Sequence, residues 1–183
     1  PITSDIDFAN SANLNSLSTY AFYGNRCAGT INLANTALTS ISSYAFHTGT
    51  TGKTTTAKII LPTNAQVINN RAFYGLNANE IVWPSNIRTI SDYAFYYNGL
   101  TELTIPSTVT TIGNYAFMYN DLVTLVIPNN VTSIATQAFA YNQITNLTLP
   151  STSVSYGTNV FENNKLTTLD LSASGLTAVA SGM

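Results

Sequence analysis

Apolar residues in this chain recur in a fixed phrase, without the even spacing of a single helix or strand. Across residues 100–117 they are Leu100, Leu103, Ile105, Val109, Ile112, Ala116 and Phe117. Leu103-Thr104-Ile105 alternates with the two-residue period of a short strand. Pro106 lacks an N–H and ends that strand's ladder. Val109 and Ile112 point inward from an irregular or 3₁₀ segment. Ala116-Phe117 closes the unit, with a small residue where backbones pass closely and a large one filling the centre. The phrase then returns. Pro62, Pro84, Pro106, Pro128 and Pro150 lie 22 residues apart, and so do Phe73, Phe95, Phe117, Phe139 and Phe161.

A fixed period of that length predicts a solenoid. Aligning on phenylalanine gives about seven units, centred on Phe22, Phe46, Phe73, Phe95, Phe117, Phe139 and Phe161, in one domain over residues 1–183. Each unit offers about six apolar side chains, worth on the order of 1.5–3 kcal/mol apiece when buried. No unit can bury them alone, so neighbours must supply the other wall. Successive strands are expected to pair in parallel about 4.8 Å apart. The interval from Phe46 to Phe73 is longer, and its extra residues fall in a polar, Gly-containing stretch, 47–56, expected to protrude as a loop. Asn98, Asn120, Asn142 and Asn164 follow their phenylalanines by three residues, with Asn25 in the same slot of the first unit. Such a column can satisfy buried turn backbone. The last unit, Leu166 to Leu171, lacks its proline and runs on through Leu176 and Val179 without a clear polar cap. That is expected of a segment of a longer chain or of an atypical cap.

The pattern Leu-x-x-Leu-x-Ile-Pro-x-x-Val-x-x-Ile-x-x-x-Ala-Phe-x-x-Asn resembles the BspA-like leucine-rich-repeat family, strongly from Ile59 to Leu171 and loosely before it. The resemblance implies a right-handed leucine-rich-repeat solenoid, an α/β-type horseshoe or arc. It would carry one short parallel strand per unit of about 22 residues and an irregular or 3₁₀ convex side. It also implies a surface-exposed or secreted protein, extracellular or at the cell surface, acting as an adhesin for host matrix proteins or other cells. The sequence departs from the family in having Asn where the column usually has Cys, and in a slightly shorter repeat. No partner is carried over.

Composition narrows the function classes. Hydrophobic residues make up 45% of the chain, enough for a continuous core. Charged residues make up only 8%, against about 25% in an average protein. A net charge of −2 with six scattered basic residues offers no phosphate-binding patch, so nucleic acid is not an expected partner. No apolar run reaches the roughly 18 residues of a membrane-spanning helix. The single Cys27 and single His47 provide neither a disulfide nor a metal-ligand set, and no cofactor is implied. Gly52-Lys53-Thr54 resembles the end of a phosphate-binding loop, but His47 stands where the motif needs glycine and a strand follows where it needs a helix. The chain therefore reads as non-enzymatic.

The outward positions carry the functional expectation. Ile60, Val82, Thr104, Val126 and Thr148 form one row on the strand face, and Lys58, Glu80, Glu102, Thr124 and Asn146 form another. If the sheet is concave, these rows make a shallow trough with an apolar middle, a kind of surface that solenoids use for binding, and the resemblance implies a host matrix protein or glycoprotein as its partner. The rows read equally as a featureless sheet face of residues chosen for strand propensity. Lys58 precedes Glu80 by 22 residues, so the two are expected to pair. Two alternatives stand beside this reading: a spacer that presents another domain, and a carbohydrate site built on the column Tyr97, Tyr119 and Tyr141. That column also reads as packing between coils, as does Tyr93 with Tyr115.

Overall fold

The structure, a computed structural model, describes residues 4–49, 58–176 and 181. The part of the 47–56 insertion from residue 50 onward, including the Gly52-Lys53-Thr54 motif, lies outside them, as does Val179. The described chain is a stack of coils carrying twelve short strands and no helix among the described residues.

On one side run β1 (Ile6–Asp7), β2 (Thr30–Asn32), β4 (Lys58–Ile60) and β6 (Ile81–Val82), paired in that order. Every pairing is parallel, with identical pattern positions opposite each other: Ile6↔Ile31, Ile31↔Ile59 and Ile59↔Ile81. Further along the same face β9 (Thr124–Val126) pairs with β11 (Asn146–Thr148), with Leu125 opposite Leu147.

A second sheet was not expected. The residues read as an irregular or 3₁₀ segment form two-residue strands: β3 (Ser40–Ile41), β5 (Val67–Ile68), β7 (Thr89–Ile90), β8 (Thr111–Ile112), β10 (Ser133–Ile134) and β12 (Ser155–Tyr156). They pair in parallel as one six-stranded sheet, with Ile41, Ile68, Ile90, Ile112 and Ile134 in register. Most coils thus have two strands where the pattern predicted one. The physical reason is the neighbour. A Thr-Ile step too short to show a period is held extended by its copy one coil away, and tertiary pairing overrides the local signal.

The core lies between the two sheets. Phe46, Phe73, Phe95, Phe117 and Phe139 are essentially inaccessible. The seven phenylalanines stack face to face, with centroids 5.2–5.9 Å apart and ring planes within 12°. Ala45, Ala72, Ala94, Ala116 and Ala138 beside them are fully buried, as the close backbone approach requires.

The asparagine column does what its slot predicted. Asn120 Oδ1 accepts the Leu100 N–H at 3.2 Å, and Asn120 Nδ2 donates to the Phe95 and Phe117 carbonyls at 3.0 Å each. Asn142 repeats this one coil later with Leu122, Phe117 and Phe139. Asn98 and Asn164 do the same at the ends of the row. Each amide ties two successive coils together at a turn that no strand ladder reaches.

Two expected strands are absent. Residues 101–105, which include the Leu103-Thr104-Ile105 alternation, are not in a strand, so the first sheet breaks between β6 and β9. Residues 168–170 of the last unit are also not a strand, and Leu169 and Leu171 stay exposed.

Candidate functional site

The strand face gathers the predicted rows. Val82 is 37% exposed and Val126 53%, which marks them among the largest apolar groups open to solvent. Glu80, Glu102, Thr104, Thr124, Asn146 and Thr148 are exposed, and Lys58 and Ile60 are half-buried. Register places Ile60 beside Val82, Thr124 beside Asn146, and Val126 beside Thr148. Lys58 Nζ lies 2.8 Å from Glu80, as the spacing predicted. The pair is well exposed, so it contributes little stability and mainly neutralises one carboxylate. Glu102 has no ion-pair partner among the described residues.

What the pattern did not predict is the break in the middle of these rows. A groove of about 700 Å³ opens there, lined by residues 101–105 with Val123, Thr124, Val126 and Pro128. A smaller one of about 180 Å³ lies on the other side of the same coil, between Glu80, Trp83 and Glu102. Val123, 45% exposed, is the site residue that sequence reasoning missed. The signal was present: its equivalents Asn79, Thr101 and Thr145 are polar, so a valine there is the exception in its row.

The tyrosines occupy a different edge, around the Ala-Phe turns. Tyr93 and Tyr115 have φ of 57° and 59°, and Tyr97, Tyr119 and Tyr141 have φ of 55–57°. Both columns are therefore left-handed, a conformation costing roughly 1–2 kcal/mol per non-glycine residue. Gly24 and Gly75 hold the second column's slot in earlier coils, with φ of 75° and 76°. The left-handed geometry turns alternate N–H groups along the stack: residues 93, 95 and 97 donate to the carbonyls of 114, 116 and 118 at 2.9–3.0 Å.

Ring packing contributes about 0.5–1.5 kcal/mol per pair, which offsets much of that strain. Tyr93 stacks on Tyr115 at 4.7 Å, Tyr74 on Tyr96 at 4.7 Å, and Tyr119 on Tyr141 at 4.6 Å. The Arg71 guanidinium lies over Tyr93 at 4.2 Å, and Nη1 donates to the Tyr44 hydroxyl at 2.7 Å. Burial pushes the Tyr96 hydroxyl up to about 12, with the neighbouring Tyr74 and Tyr119 adding to it. Within the column Tyr97, Tyr119 and Tyr141, Tyr97 meets Tyr119 edge-on at 6.3 Å and Tyr119 lies tilted on Tyr141, with Tyr119 37% exposed. The space beside Tyr97, Tyr119 and Tyr141 is only about 190 Å³.

His47 is a member of this ring system. It stacks on Tyr74 at 4.3 Å and on Tyr23 at 5.1 Å, and its Nδ1 accepts the Gly49 N–H at 2.8 Å. Burial, then the nearby Arg71 charge, hold its pKa below the ordinary value. Neutral His47 is therefore favoured by the fold. Its contribution to stability is complete above about pH 6.5 and is lost as pH falls through the depressed folded-state value. Thermal melts should show lower stability at pH 5 than at pH 8. A His47→Gln variant should flatten that difference, and an unchanged pH dependence would sink this assignment.

Cys27 is buried, and its Sγ donates to the Ser4 carbonyl at 3.1 Å. Burial raises the thiol pKa, which keeps it protonated and a poor nucleophile at neutral pH. Among the described residues no three His, Cys, Asp or Glu side chains converge on a metal-sized space. No helix among them is long and apolar enough to cross a membrane.

Comparison with known proteins places this architecture. No curated protein matches the chain. The crystal structure of the pneumococcal vaccine antigen PcpA superimposes with a TM-score of 0.63 at 21% identity, over 89% of this chain and 41% of that one. The chain thus spans less than half of PcpA's length. The T. pallidum leucine-rich-repeat protein TpLRR superimposes with a TM-score of 0.53 at 17% identity, over 82% of this chain and 85% of that one. At these identities the likeness shows a shared leucine-rich-repeat fold. The model of the BspA-type leucine-rich-repeat region matches residues 3–119 and 51–167, in six copies. The chain belongs to the BspA-type leucine-rich-repeat family.

Proposed function

We propose that the chain is a non-enzymatic, surface-exposed or secreted recognition module, an adhesin that binds a host matrix protein or cell-surface glycoprotein through its strand face. The observation that carries this reading is the run of exposed residues around the break, where Val82, Val123 and Val126 sit in an otherwise Thr- and Asn-rich surface beside an open groove. Burying such apolar area against a partner contributes about 25 cal/mol per Å². The few charges around it supply orientation more than affinity. The pneumococcal antigen of like fold supports a cell-surface setting.

Substituting Val82→Arg and Val126→Arg together tests it. Both side chains point outward, so the double variant should keep the wild-type melting temperature. In a solid-phase screen against matrix proteins it should lose binding at least tenfold relative to wild type. Unchanged affinity would remove the strand face from consideration and favour a spacer that presents another domain.

A further inference from the structure

We propose that the break in the strand ladder at residues 101–105 receives an extended peptide strand from the partner, one carrying a lysine or arginine followed by apolar residues, which adds to the sheet through backbone hydrogen bonds. The proposal rests on the strand-face reading above and specifies its ligand.

The backbone supplies the first argument. Between paired coils the Leu61 N–H donates to the Val82 carbonyl at 3.1 Å, and the Ile127 N–H donates to the Thr148 carbonyl at 3.0 Å. The 22-residue step places the equivalent bonds from Trp83 to Thr104 and from Ile105 to Val126. Neither forms among the described residues. The edges of β6 and β9 left unpaired beside an open groove are a template for another strand. The groove's volume of about 700 Å³ lies within the range of ligand pockets, roughly 300–1,000 Å³.

The occupant's chemistry is read from the molecule itself. β4 seats Lys58-Ile59-Ile60 against β6, with Lys58 Nζ 2.8 Å from Glu80 and the two isoleucines opposite Ile81 and Val82. Glu102 is the same position one coil later, lines both grooves and has no cation of its own among the described residues. A strand with the same order of lysine then apolar residues meets Glu102 with its cation and Leu103 and Val126 with its apolar side chains.

The test uses the whole chain and an end-blocked heptapeptide with the sequence of residues 55–61, Thr-Thr-Ala-Lys-Ile-Ile-Leu. Trp83 is the only tryptophan and lines the smaller groove, so its emission reports binding locally. The expected result is a saturable change in Trp83 emission, with slowed hydrogen exchange at the Trp83 or Ile105 amide. N-methylation of alternate peptide amides on one edge should weaken binding at least tenfold, and methylation of the other edge should change it little. Glu102→Gln should weaken the lysine peptide and leave a Lys→Gln peptide unaffected. Absence of binding, or the same response to both methylation patterns, overturns the proposal. If Val82→Arg with Val126→Arg still abolishes matrix-protein binding in that case, the strand-face reading stands and strand addition alone falls. If that double variant also changes nothing, both fall.

Discussion

Phe117→Ala should cost about 3–5 kcal/mol and lower the melting temperature by roughly 6–20 °C. Phe117 is fully buried, with Phe95 on one face and Phe139 on the other, each at 5.4 Å. Truncation leaves a cavity whose walls are the rings above and below, and neither can collapse without dragging its own coil out of register. In a linear stack this loss falls on the interface between neighbouring units, so the protein should divide there. Denaturation followed by hydrogen exchange should show the coils on the two sides of residue 117 losing protection separately. The same truncation at half-buried Phe22 should cost less, because that ring stacks at the end of the row. Equal losses at the two positions would argue that the phenylalanines are independent plugs and not a ladder.

Asn120→Leu should be nearly as damaging, at about 3–5 kcal/mol, although it adds apolar surface to the interior. It leaves the Leu100 N–H and the Phe95 carbonyl without their partner, and the Phe117 carbonyl with the Asn142 amide alone, in a site only 3% exposed. Each unsatisfied buried group costs about 1–3 kcal/mol, which outweighs the gain from a leucine side chain. Asn120→Asp keeps the acceptor for Leu100 and aims an unscreened carboxylate at two carbonyls. Burial would raise that carboxylate's pKa above the ordinary value of about 3.9. The stability of this variant should therefore be greater at pH 4 than at pH 7, falling as pH rises through the raised value. A thermal shift under 2 °C for Asn120→Leu, on a scale of about 2–4 °C per kcal/mol, would mean that the turns bond equally well without the amide.

Both outcomes follow from features legible in the sequence. The spacing of Phe95, Phe117 and Phe139 and of Asn98, Asn120 and Asn142 was enough to place them in columns. In a stack, equal pattern positions must become neighbours. The second sheet was hidden because Thr111-Ile112 is too short to carry a period, and its extended form comes from Thr89-Ile90 and Ser133-Ile134 on either side. The left-handed turns were hidden because tyrosine stands where glycine would have announced them. Only Gly24 and Gly75 mark the second column.

The outward rows were legible for the same reason as the core, since alternation fixes which side chains face outward. The break between them was not. Leu103-Thr104-Ile105 has the same inward positions as Leu125-Val126-Ile127, yet only the second contributes to a strand. The difference coincides with Trp83, which takes a slot filled by Leu61, Ile105 and Ile127 in other coils. The indole stays half-buried, edge-on to Phe95 at 5.5 Å. A side chain that large in a leucine-sized slot disturbs local packing. Its effect on the next coil's pairing is a property of fit between neighbours, which no single repeat displays.

The central claim is that partners meet the strand face, and a binding footprint tests it most directly. The purified chain would be screened on immobilised matrix proteins at low and high salt, and the complex with any saturable partner mapped by amide hydrogen exchange. The account expects binding that survives high salt, with added protection at residues 80–83, 102–105 and 123–126 and none at the tyrosine edge. Protection confined to Tyr97, Tyr119 and Tyr141, or a folded chain that binds nothing in the panel, would contradict it.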